Sequence, residues 1–212
     1  MTHFTDMIEG YRRFRNGGWA QQRERWGQLA EGQSPKVMII ACSDSRSEPS
    51  QIFDTNPGEI FVVRNVAALV PPFETTPGRH GVSAALEFAV QFLKVEEIVV
   101  MGHGMCGGCH AALHRTMAGA EPGRGGFIAD WIAMLDEAIE RVRSEHQDID
   151  NREAGRAMEL AAVGVSLDNL MTFPCIREKV RRGTLKLRGA FFAISDGVLH
   201  VMDEATGEFC PA

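Results

Sequence analysis

Three short apolar segments constrain the fold of this chain more than any other feature of its sequence. They read VMIIACS from residue 37, FVVRN from residue 61 and IVVMGH from residue 98. Because apolar residues occupy consecutive positions, both faces of each segment are hydrophobic, as in strands that are buried on both sides of a parallel sheet. The sequence therefore predicts an α/β fold with a central, mostly parallel sheet wrapped by helices.

Helical periodicity is found between and after these predicted strands. Residues 81–93 place their apolar side chains on one helical face, and residues 128–142 and 157–171 carry two more such stripes. Asp150 and Glu153 have the spacing of a capping box at the start of the last of these helices. A strand, a helix and a strand in succession are typical of a parallel sheet.

Two signals near the end of the chain mark turns. Pro174 is expected to end the helix over residues 157–171, because proline does not continue an α-helix. Asp196-Gly197 lies between AFFAIS and VLHVMD, and this dipeptide between two apolar runs is a strong signal for a β-hairpin. We therefore expect an antiparallel hairpin at one edge of the sheet.

The N-terminal region has a different character from the rest of the chain. Its aromatic residues are separated by arginine and glutamine and form no long apolar stripe. We expect residues 1–34 to form an N-terminal helical arm that mediates dimerisation by embracing a second copy, because such scattered aromatic side chains have no obvious partner within one chain. Residues 35–212 are expected to form one α/β domain.

Composition restricts the partners and the location of the protein. The 212 residues carry 22 Lys+Arg against 28 Asp+Glu, and the formal net charge of -6 argues against a nucleic-acid partner. No segment approaches the roughly 20 apolar residues of a membrane-spanning helix, so no membrane association is expected. The first residues, MTHFTDMIEGYRRF, are acidic where a signal peptide needs an apolar core, which predicts a cytoplasmic protein. In such a chain, five cysteines favour reduced thiols and metal ligands over disulfides.

Residues that bind soft metal ions stand at the ends of two predicted strands. Cys42 ends the first apolar segment, His103 ends the third, and Cys106 follows three residues later. The carboxyl ends of parallel strands meet at one edge of the sheet, where open α/β proteins bind their ligands. Thiolate and imidazole favour zinc, and three protein ligands leave a fourth position open, as in catalytic zinc sites. The sequence therefore predicts a catalytic zinc at this edge.

The segment Cys106-Gly107-Gly108-Cys109 supports a competing hypothesis. A C-x-x-C motif at the start of a helix is also found in redox proteins. A non-catalytic zinc or redox protein is therefore an alternative of another class. Two observations disfavour it: a dithiol site has no need of the neighbouring CSDSR sequence or of His103, and a purely structural zinc site closes all four positions.

Three motifs together resemble one known family. CSDSR at 42–46, VVRN at 62–65 and GHGMCGG at 102–108 form the motif set of the β-carbonic anhydrases, zinc enzymes that hydrate carbon dioxide to bicarbonate. The similarity runs from about residue 8 to the end of the chain. The resemblance implies attack of zinc-bound hydroxide on carbon dioxide, one zinc per chain, and a homodimer or an assembly of dimers.

Carried over position by position, the resemblance also assigns site residues. Cys42, His103 and Cys106 become the zinc ligands, and Asp44 with Arg46 becomes a catalytic dyad beside the metal. The substrate pocket would be lined by further residues, some of them supplied across a dimer interface: Gln33, Phe61, Val66, Phe88 and the backbone N–H of Gly107. Some relatives act instead on carbon disulfide or carbonyl sulfide, and this alternative stays open at the level of sequence.

One departure from the family pattern predicts the state of the site. A subclass of the family holds bicarbonate in a non-catalytic pocket built from a tryptophan, an arginine and a late tyrosine. This chain keeps only the arginine, Arg64, because Ile39 replaces the tryptophan and the tyrosine region reads AFFA at residues 190–193. We therefore expect an open site in which Asp44 pairs with Arg46, and Asp44 would be a metal ligand only in a closed, inactive state.

Overall fold

The structure, a computed structural model, describes residues 2–212 of the chain. Internal contacts divide these residues into two compact units that meet in sequence between Ser34 and Pro35. The N-terminal unit is mainly helical, with helices at α1 (Phe4–Asn16), α2 (Gly18–Gln21) and α3 (Arg23–Ala30). Within this unit, Phe14 and Trp26 meet edge to face at 6.0 Å between ring centroids. The helical nature of this region is as predicted.

The second unit is built on a six-stranded sheet within the described residues. Its strands are β1 (Val37–Cys42), β2 (Ile60–Asn65), β3 (Glu97–His103), β4 (Lys186–Ala193), β5 (Val198–Met202) and β6 (Phe209–Pro211). The order across the sheet is β2-β1-β3-β4-β5-β6, parallel from β2 to β4 and antiparallel at β5 and β6. This confirms the predicted mostly parallel sheet with an antiparallel edge. The final strand β6 was not expected, because three residues are too few to show periodicity.

Strand β1 shows why its sequence has no alternating pattern. Met38 and Ile40 pack into the core on one face of the sheet, while Ile39 and Ala41 pack into a second cluster on the other face. All are almost completely buried. Because both faces of a parallel strand are covered, every position has to be apolar. The helices of this unit are α4 (Pro49–Ile52), α5 (Gly81–Glu87), α6 (Gly107–Leu113), α7 (Gly126–Ile132), α8 (Asp136–Glu145), α9 (Arg152–Leu170) and α10 (Pro174–Arg181).

Three helical predictions need correction. The stripe over residues 128–142 is divided between α7, a short 3₁₀ turn and α8, because an apolar stripe reports the buried face and not the continuity of the backbone. The N-cap of α9 is Asn151, whose side chain accepts a hydrogen bond from Ala154 N, so the capping box predicted at Asp150 is wrong. Pro174 does not end α9 but begins α10, where its missing N–H costs nothing.

The segment predicted as one helix over residues 81–93 also changes type along its length. It is α-helical as α5 and then π-helical over Phe88–Leu93. No helix among residues 2–212 is both long and apolar enough to cross a membrane.

Helix α9 approaches the sheet closely at one glycine of β3. A Cβ atom built on Gly102 would lie 2.8 Å from Val163 Cγ2 and 3.5 Å from the carbonyl oxygen of Glu159. A side chain at this position would therefore push the helix away from the strand. The missing side chain places Glu159 beside the end of β3, where the candidate site begins.

Candidate metal centre

Three candidate ligands come together at the carboxyl edge of the sheet. Cys42 is the last residue of β1, His103 is the last residue of β3, and Cys106 is the N-cap of α6. One ligand atom from each lies within 4.8 Å of the other two, and all three residues are buried. We call Cys42, His103 and Cys106 the metal-ligand group. Because β1 and β3 are parallel neighbours in the sheet, their carboxyl ends lie side by side, and this brings Cys42 and His103 together.

The imidazole of His103 is oriented for metal binding. Its Nδ1 lies 2.9 Å from the carbonyl oxygen of Gly104. A carbonyl oxygen only accepts hydrogen bonds, so Nδ1 carries the proton in the neutral ring and Nε2 presents its lone pair. Nε2 is buried and has no hydrogen-bond partner in the described part of the chain. A buried nitrogen of this kind is costly unless a cation binds it.

The thiols of the site favour one negative charge but resist a second. Hydrogen bonds from Cys109 and Cys42 lower the pKa of Cys106. The hydrogen bond with Cys106, and then burial, raise the pKa of Cys42. For His103, burial opposes the charged ring, but nearby Cys106 and Asp44 outweigh it and the pKa is raised. A divalent cation between the two sulfur atoms would remove their mutual repulsion.

Cys109 contacts Cys106 but is not part of the metal-ligand group. Its side chain is buried, and the hydrogen bond with Cys106, followed by burial, raises its pKa. A redox dithiol needs an accessible, acidic thiol. Cys106 and Cys109 are both buried and free, and this geometry disfavours the redox alternative.

Asp44 and Arg46 form a tight, bidentate pair next to Cys42. Asp44 Oδ2 lies 2.6 Å from Arg46 Nη2, and Oδ1 accepts from Arg46 Nε at 3.0 Å and from the Arg46 backbone N–H at 2.9 Å. Arg46 Nη2 also donates to the carbonyl oxygen of Met105, at 3.1 Å, which ties the pair to the loop before Cys106. The hydrogen bonds from Arg46 hold the pKa of Asp44 at about 2, below its ordinary 3.8.

Arg64 braces the backbone that carries Cys42 and Asp44. Its Nε donates to the carbonyl oxygen of Cys42 at 2.8 Å, and its Nη2 donates to that of Asp44 at 2.6 Å. Its Nη1 forms an ion pair with the Glu48 carboxylate. Each of the three guanidinium nitrogens of Arg64 therefore already has a partner among the described residues.

Glu159 is a site residue that the sequence did not reveal. It is buried on α9, and its Oε1 accepts a hydrogen bond from the backbone N–H of Cys106 at 3.0 Å. Burial raises the pKa of Glu159. The residue lies 53 positions after Cys106. The one sign of its role in the sequence was the presence of a carboxylate on an otherwise apolar helical face.

Val66 and Gly107 lie close to the metal-ligand group. A Cβ atom on the neighbouring Gly108 would lie 2.8 Å from Val66 Cγ1 and 2.9 Å from Ala67 Cβ, so the start of α6 packs directly on the turn after β2. Val66 is 39% exposed, and Gly107 is exposed as the first residue of α6. Both therefore present accessible atoms at the edge where the ligands converge.

Phe61 and Phe88 are not placed at this edge in the same chain. Met38 pairs with Phe61 and Cys42 pairs with Asn65, so Phe61 lies four residues before the carboxyl end of β2, about 13 Å along the strand. Phe61, Phe88 and Phe92 form an aromatic cluster, with centroids 5.8 Å and 5.7 Å apart for successive rings. Phe88 is 46% exposed and Phe92 is 69% exposed.

Gln33 lies in the N-terminal unit, after the end of α3. Its predicted role in substrate binding remains a prediction, as do the roles predicted for the other site residues.

The metal-ligand group has the properties that a zinc ion requires. It offers two sulfur donors and one imidazole nitrogen, which is the donor chemistry that zinc prefers among divalent ions. It also contains a buried nitrogen without a partner, in the tautomer that a metal needs. The residues present therefore fit a zinc ion with three protein ligands.

Comparison with known proteins agrees with this chemistry. The carbonic anhydrase family profile matches residues 37–199. Beta carbonic anhydrase 3 of Arabidopsis thaliana is 34% identical over 194 residues, which are 92% of this chain and 74% of the relative. The chloroplastic beta carbonic anhydrase 5 of the same plant is 36% identical over 193 residues, which are 91% of this chain but only 62% of that longer protein.

Solved structures are similar over nearly the whole chain. The β-carbonic anhydrase CcaA matches with a TM-score of 0.90 at 29% identity, covering 99% of this chain and 92% of CcaA. A tetrameric β-carbonic anhydrase from Sordaria macrospora matches with a TM-score of 0.79 at 28% identity, covering 99% of this chain and 98% of the other. Taken together, the sequence motifs, the fold and these relatives show that the chain belongs to the β-carbonic anhydrase family.

Proposed function

We propose that this carbonic anhydrase catalyses the reversible hydration of carbon dioxide to bicarbonate and a proton, and that it depends on one zinc ion per chain. The observation that carries the proposal is the buried metal-ligand group next to the Asp44–Arg46 pair. Cys42, His103 and Cys106 would hold the ion. A zinc ion bound there would act as a Lewis acid that lowers the pKa of water, which is the chemistry that hydration at neutral pH needs.

Asp44 orients the nucleophilic oxygen that attacks carbon dioxide. A carboxylate has about four lone-pair sites, and three N–H groups of Arg46 point at those of Asp44. In the proposal, the carboxylate also accepts a hydrogen bond from the nucleophile and keeps a lone pair of that oxygen directed at the substrate carbon. With its pKa held at about 2, Asp44 is an acceptor, and not a donor, at neutral pH.

The substrate pocket requires two chains in this proposal. Val66 and the Gly107 N–H belong to the chain that holds the metal, while Gln33, Phe61 and Phe88 act on the metal centre of a second copy. The position of Phe61 well before the strand end and the exposure of Phe88 and Phe92 support this division. Apolar walls suit carbon dioxide, which has no net dipole, and the Gly107 N–H stabilises the oxygen that becomes negative. We therefore propose a homodimer, or an assembly of dimers, in which residues 1–34 embrace the partner.

We place the protein in the cytoplasm. The five cysteines are all free in the structure, and this agrees with a reducing compartment.

Stopped-flow assay of zinc-replete protein tests the proposed reaction. Wild-type protein should accelerate carbon dioxide hydration by orders of magnitude over the buffer reaction. Release of sulfide from carbon disulfide and carbonyl sulfide should be measured in parallel, since faster turnover of either would favour the alternative substrate. Protein that contains zinc but hydrates none of these substrates would contradict the proposal and favour a non-catalytic role.

A further inference from the structure

A large cavity lies next to the metal loop, within residues 35–212. Its volume is about 960 Å³, and its walls are the loop Gly104–Gly107, helix α6, the first turns of α9 and the segment that follows β4. Cys42, Asp44 and Arg46 are not among the residues that line it. Cys106 and Gly107 belong to its wall, so the cavity borders the metal centre, but on a side other than that of the Asp44–Arg46 pair. Its size is that of sites that bind small molecules, about 300–1,000 Å³.

Part of this cavity is apolar, and two arginines of α9 stand in its wall, the exposed Arg152 and the half-buried Arg156. Ile149 and Ile194, both partly exposed, provide hydrocarbon surface. Arg156 is half-buried on α9, with its guanidinium carbon 4.8 Å from the ring centroid of Phe191. Its Nη2 lies 3.4 Å from His200 Nε2, and no carboxylate of the described residues pairs with it. A half-buried cation without a counter-ion is unfavourable, so the site attracts an anion.

The acidic residues of the cavity do not neutralise Arg156. Asp150 accepts a hydrogen bond from His114 Nε2 at 2.9 Å. Glu159 accepts from the N–H of Cys106 at 3.0 Å. Glu153 is exposed and lies towards the solvent. None of these carboxylates thus forms a direct ion pair with the Arg156 guanidinium.

We propose that this cavity binds a small organic monocarboxylate. The carboxylate pairs with Arg156, because a planar guanidinium binds a carboxylate through two parallel hydrogen bonds. The apolar part of the ligand lies against Ile149 and Ile194. The inference does not depend on the proposed reaction, since none of the residues that carry it holds the metal.

Two glycines of α9 provide a matched test. Gly155 lines the cavity, and a Cβ atom built on it meets nothing within 4 Å, so Gly155→Leu places a side chain in the cavity without a backbone clash. Gly164 has equally open space on the same helix but does not line the cavity. Gly164→Leu therefore has the same effect on helix propensity and leaves the site open.

The charge of Arg156 is also tested with a matched control. Arg156→Gln removes the cation, and Arg156→Lys keeps the charge without the planar fork. Arg177 is another half-buried arginine that does not line the cavity, so Arg177→Gln is the control.

The probe is benzoate, measured by isothermal titration calorimetry on zinc-replete protein, with uncharged benzamide for comparison. We expect one saturable site for benzoate, and a dissociation constant raised by at least about tenfold in Gly155→Leu and Arg156→Gln, with a smaller rise in Arg156→Lys. Gly164→Leu and Arg177→Gln should bind as the wild type does. Benzamide should bind at least about tenfold more weakly than benzoate.

A carboxylate could also bind at the metal centre. Thiocyanate, a small anion that ligates metal ions, competes for the metal centre and so distinguishes the two places. Benzoate binding that persists in saturating thiocyanate supports the cavity. Binding that thiocyanate abolishes and that Gly155→Leu and Arg156→Gln leave unchanged would overturn the proposal. Absence of saturable benzoate binding in the millimolar range would overturn it as well.

Discussion

The metal-ligand group and the aromatic cluster are two parts of the proposed active site, and the chain builds them in opposite ways. Cys42, His103 and Cys106 are buried and lie within 4.8 Å of one another in a single chain. Phe88 and Phe92 stack on each other and remain 46% and 69% exposed. The first group needs only the fold of one chain, whereas the second needs a surface to cover it.

Position along the strands explains this difference. The carboxyl ends of β1 and β3 converge, so residues there meet whatever the sequence between them. Phe61 lies four residues before the end of β2, where its side chain packs near other residues of its own sheet. In the function proposed above, the metal-ligand group therefore forms within each chain and the apolar pocket forms between two chains. The predictions below separate these two parts, beginning with the largest effect.

Loss of a metal ligand should abolish activity. Cys42→Ser should lose its zinc and all measurable hydration, because a serine hydroxyl does not replace a thiolate as a zinc ligand. Cys109→Ser should keep the zinc, since Cys109 lies outside the metal-ligand group. Elemental analysis of both variants measures this, with Cys175→Ser as the control. Zinc retained in Cys42→Ser but lost in Cys109→Ser would show that the ligand assignment is wrong.

Removal of one charge from the dyad should leave the metal and impair the chemistry. Asp44→Asn should retain zinc and the fold but hydrate carbon dioxide about 100-fold more slowly, because an amide does not orient the nucleophile as a carboxylate does. Arg46→Ala should also reduce activity, since Asp44 loses the partner that holds it in place. Asp130→Asn, at an exposed position, is the control. Full activity in either dyad variant would mean that the pair is an ordinary surface ion pair.

Disruption of the aromatic cluster should act through assembly and not through the metal. Phe88→Glu should weaken self-association by at least about tenfold and reduce activity per chain, because a charge is placed in a surface that a second copy covers. Its zinc content should remain that of the wild type. Phe127 is 71% exposed and lies outside the cluster, so Phe127→Glu is the matched control. Sedimentation equilibrium measures the association; an unchanged assembly with unchanged activity would contradict the two-chain pocket.

The sequence was informative where chemistry and periodicity coincide. The continuous apolar character of residues 37–42 and 98–103 indicated buried parallel strands, and the soft ligands at their ends indicated the metal centre. Glu159 was not predicted, because nothing in a helical apolar stripe indicates which carboxylate accepts a hydrogen bond from a backbone N–H of another helix. The cavity beside Arg156 was not predicted either, because a cavity arises from the packing of elements that are distant in sequence.

Packing between the start of α6 and the turn after β2 should be sensitive to a single methyl group. Gly108→Ala should lower the free energy of unfolding by about 1–3 kcal/mol, because its Cβ would lie 2.8 Å from Val66 Cγ1 and 2.9 Å from Ala67 Cβ. Gly107→Ala meets nothing within 4 Å and should change stability by less than about 1 kcal/mol. Urea unfolding of the two variants makes the comparison. Equal stabilities would mean that α6 moves away from the Val66–Ala68 turn without cost.

The smallest effect concerns regulation by bicarbonate, for which we expect almost none. Arg46 holds the pKa of Asp44 at about 2, below the ordinary 3.8, so its ionised pairing with Arg46 is complete above about pH 4 and is lost only as the pH falls through about 2. Asp44 therefore stays ionised and paired with Arg46 between roughly pH 6 and pH 9. Arg64 is already bonded to Glu48 and to the carbonyl oxygens of Cys42 and Asp44, and the apolar, buried Ile39 offers an anion no hydrogen bond. Activity should rise with pH as a single ionisation at the metal centre. Stopped-flow pH profiles with and without added bicarbonate test this: a steep, cooperative loss of activity below about pH 8 that bicarbonate intensifies would mean that Asp44 leaves Arg46 for the metal.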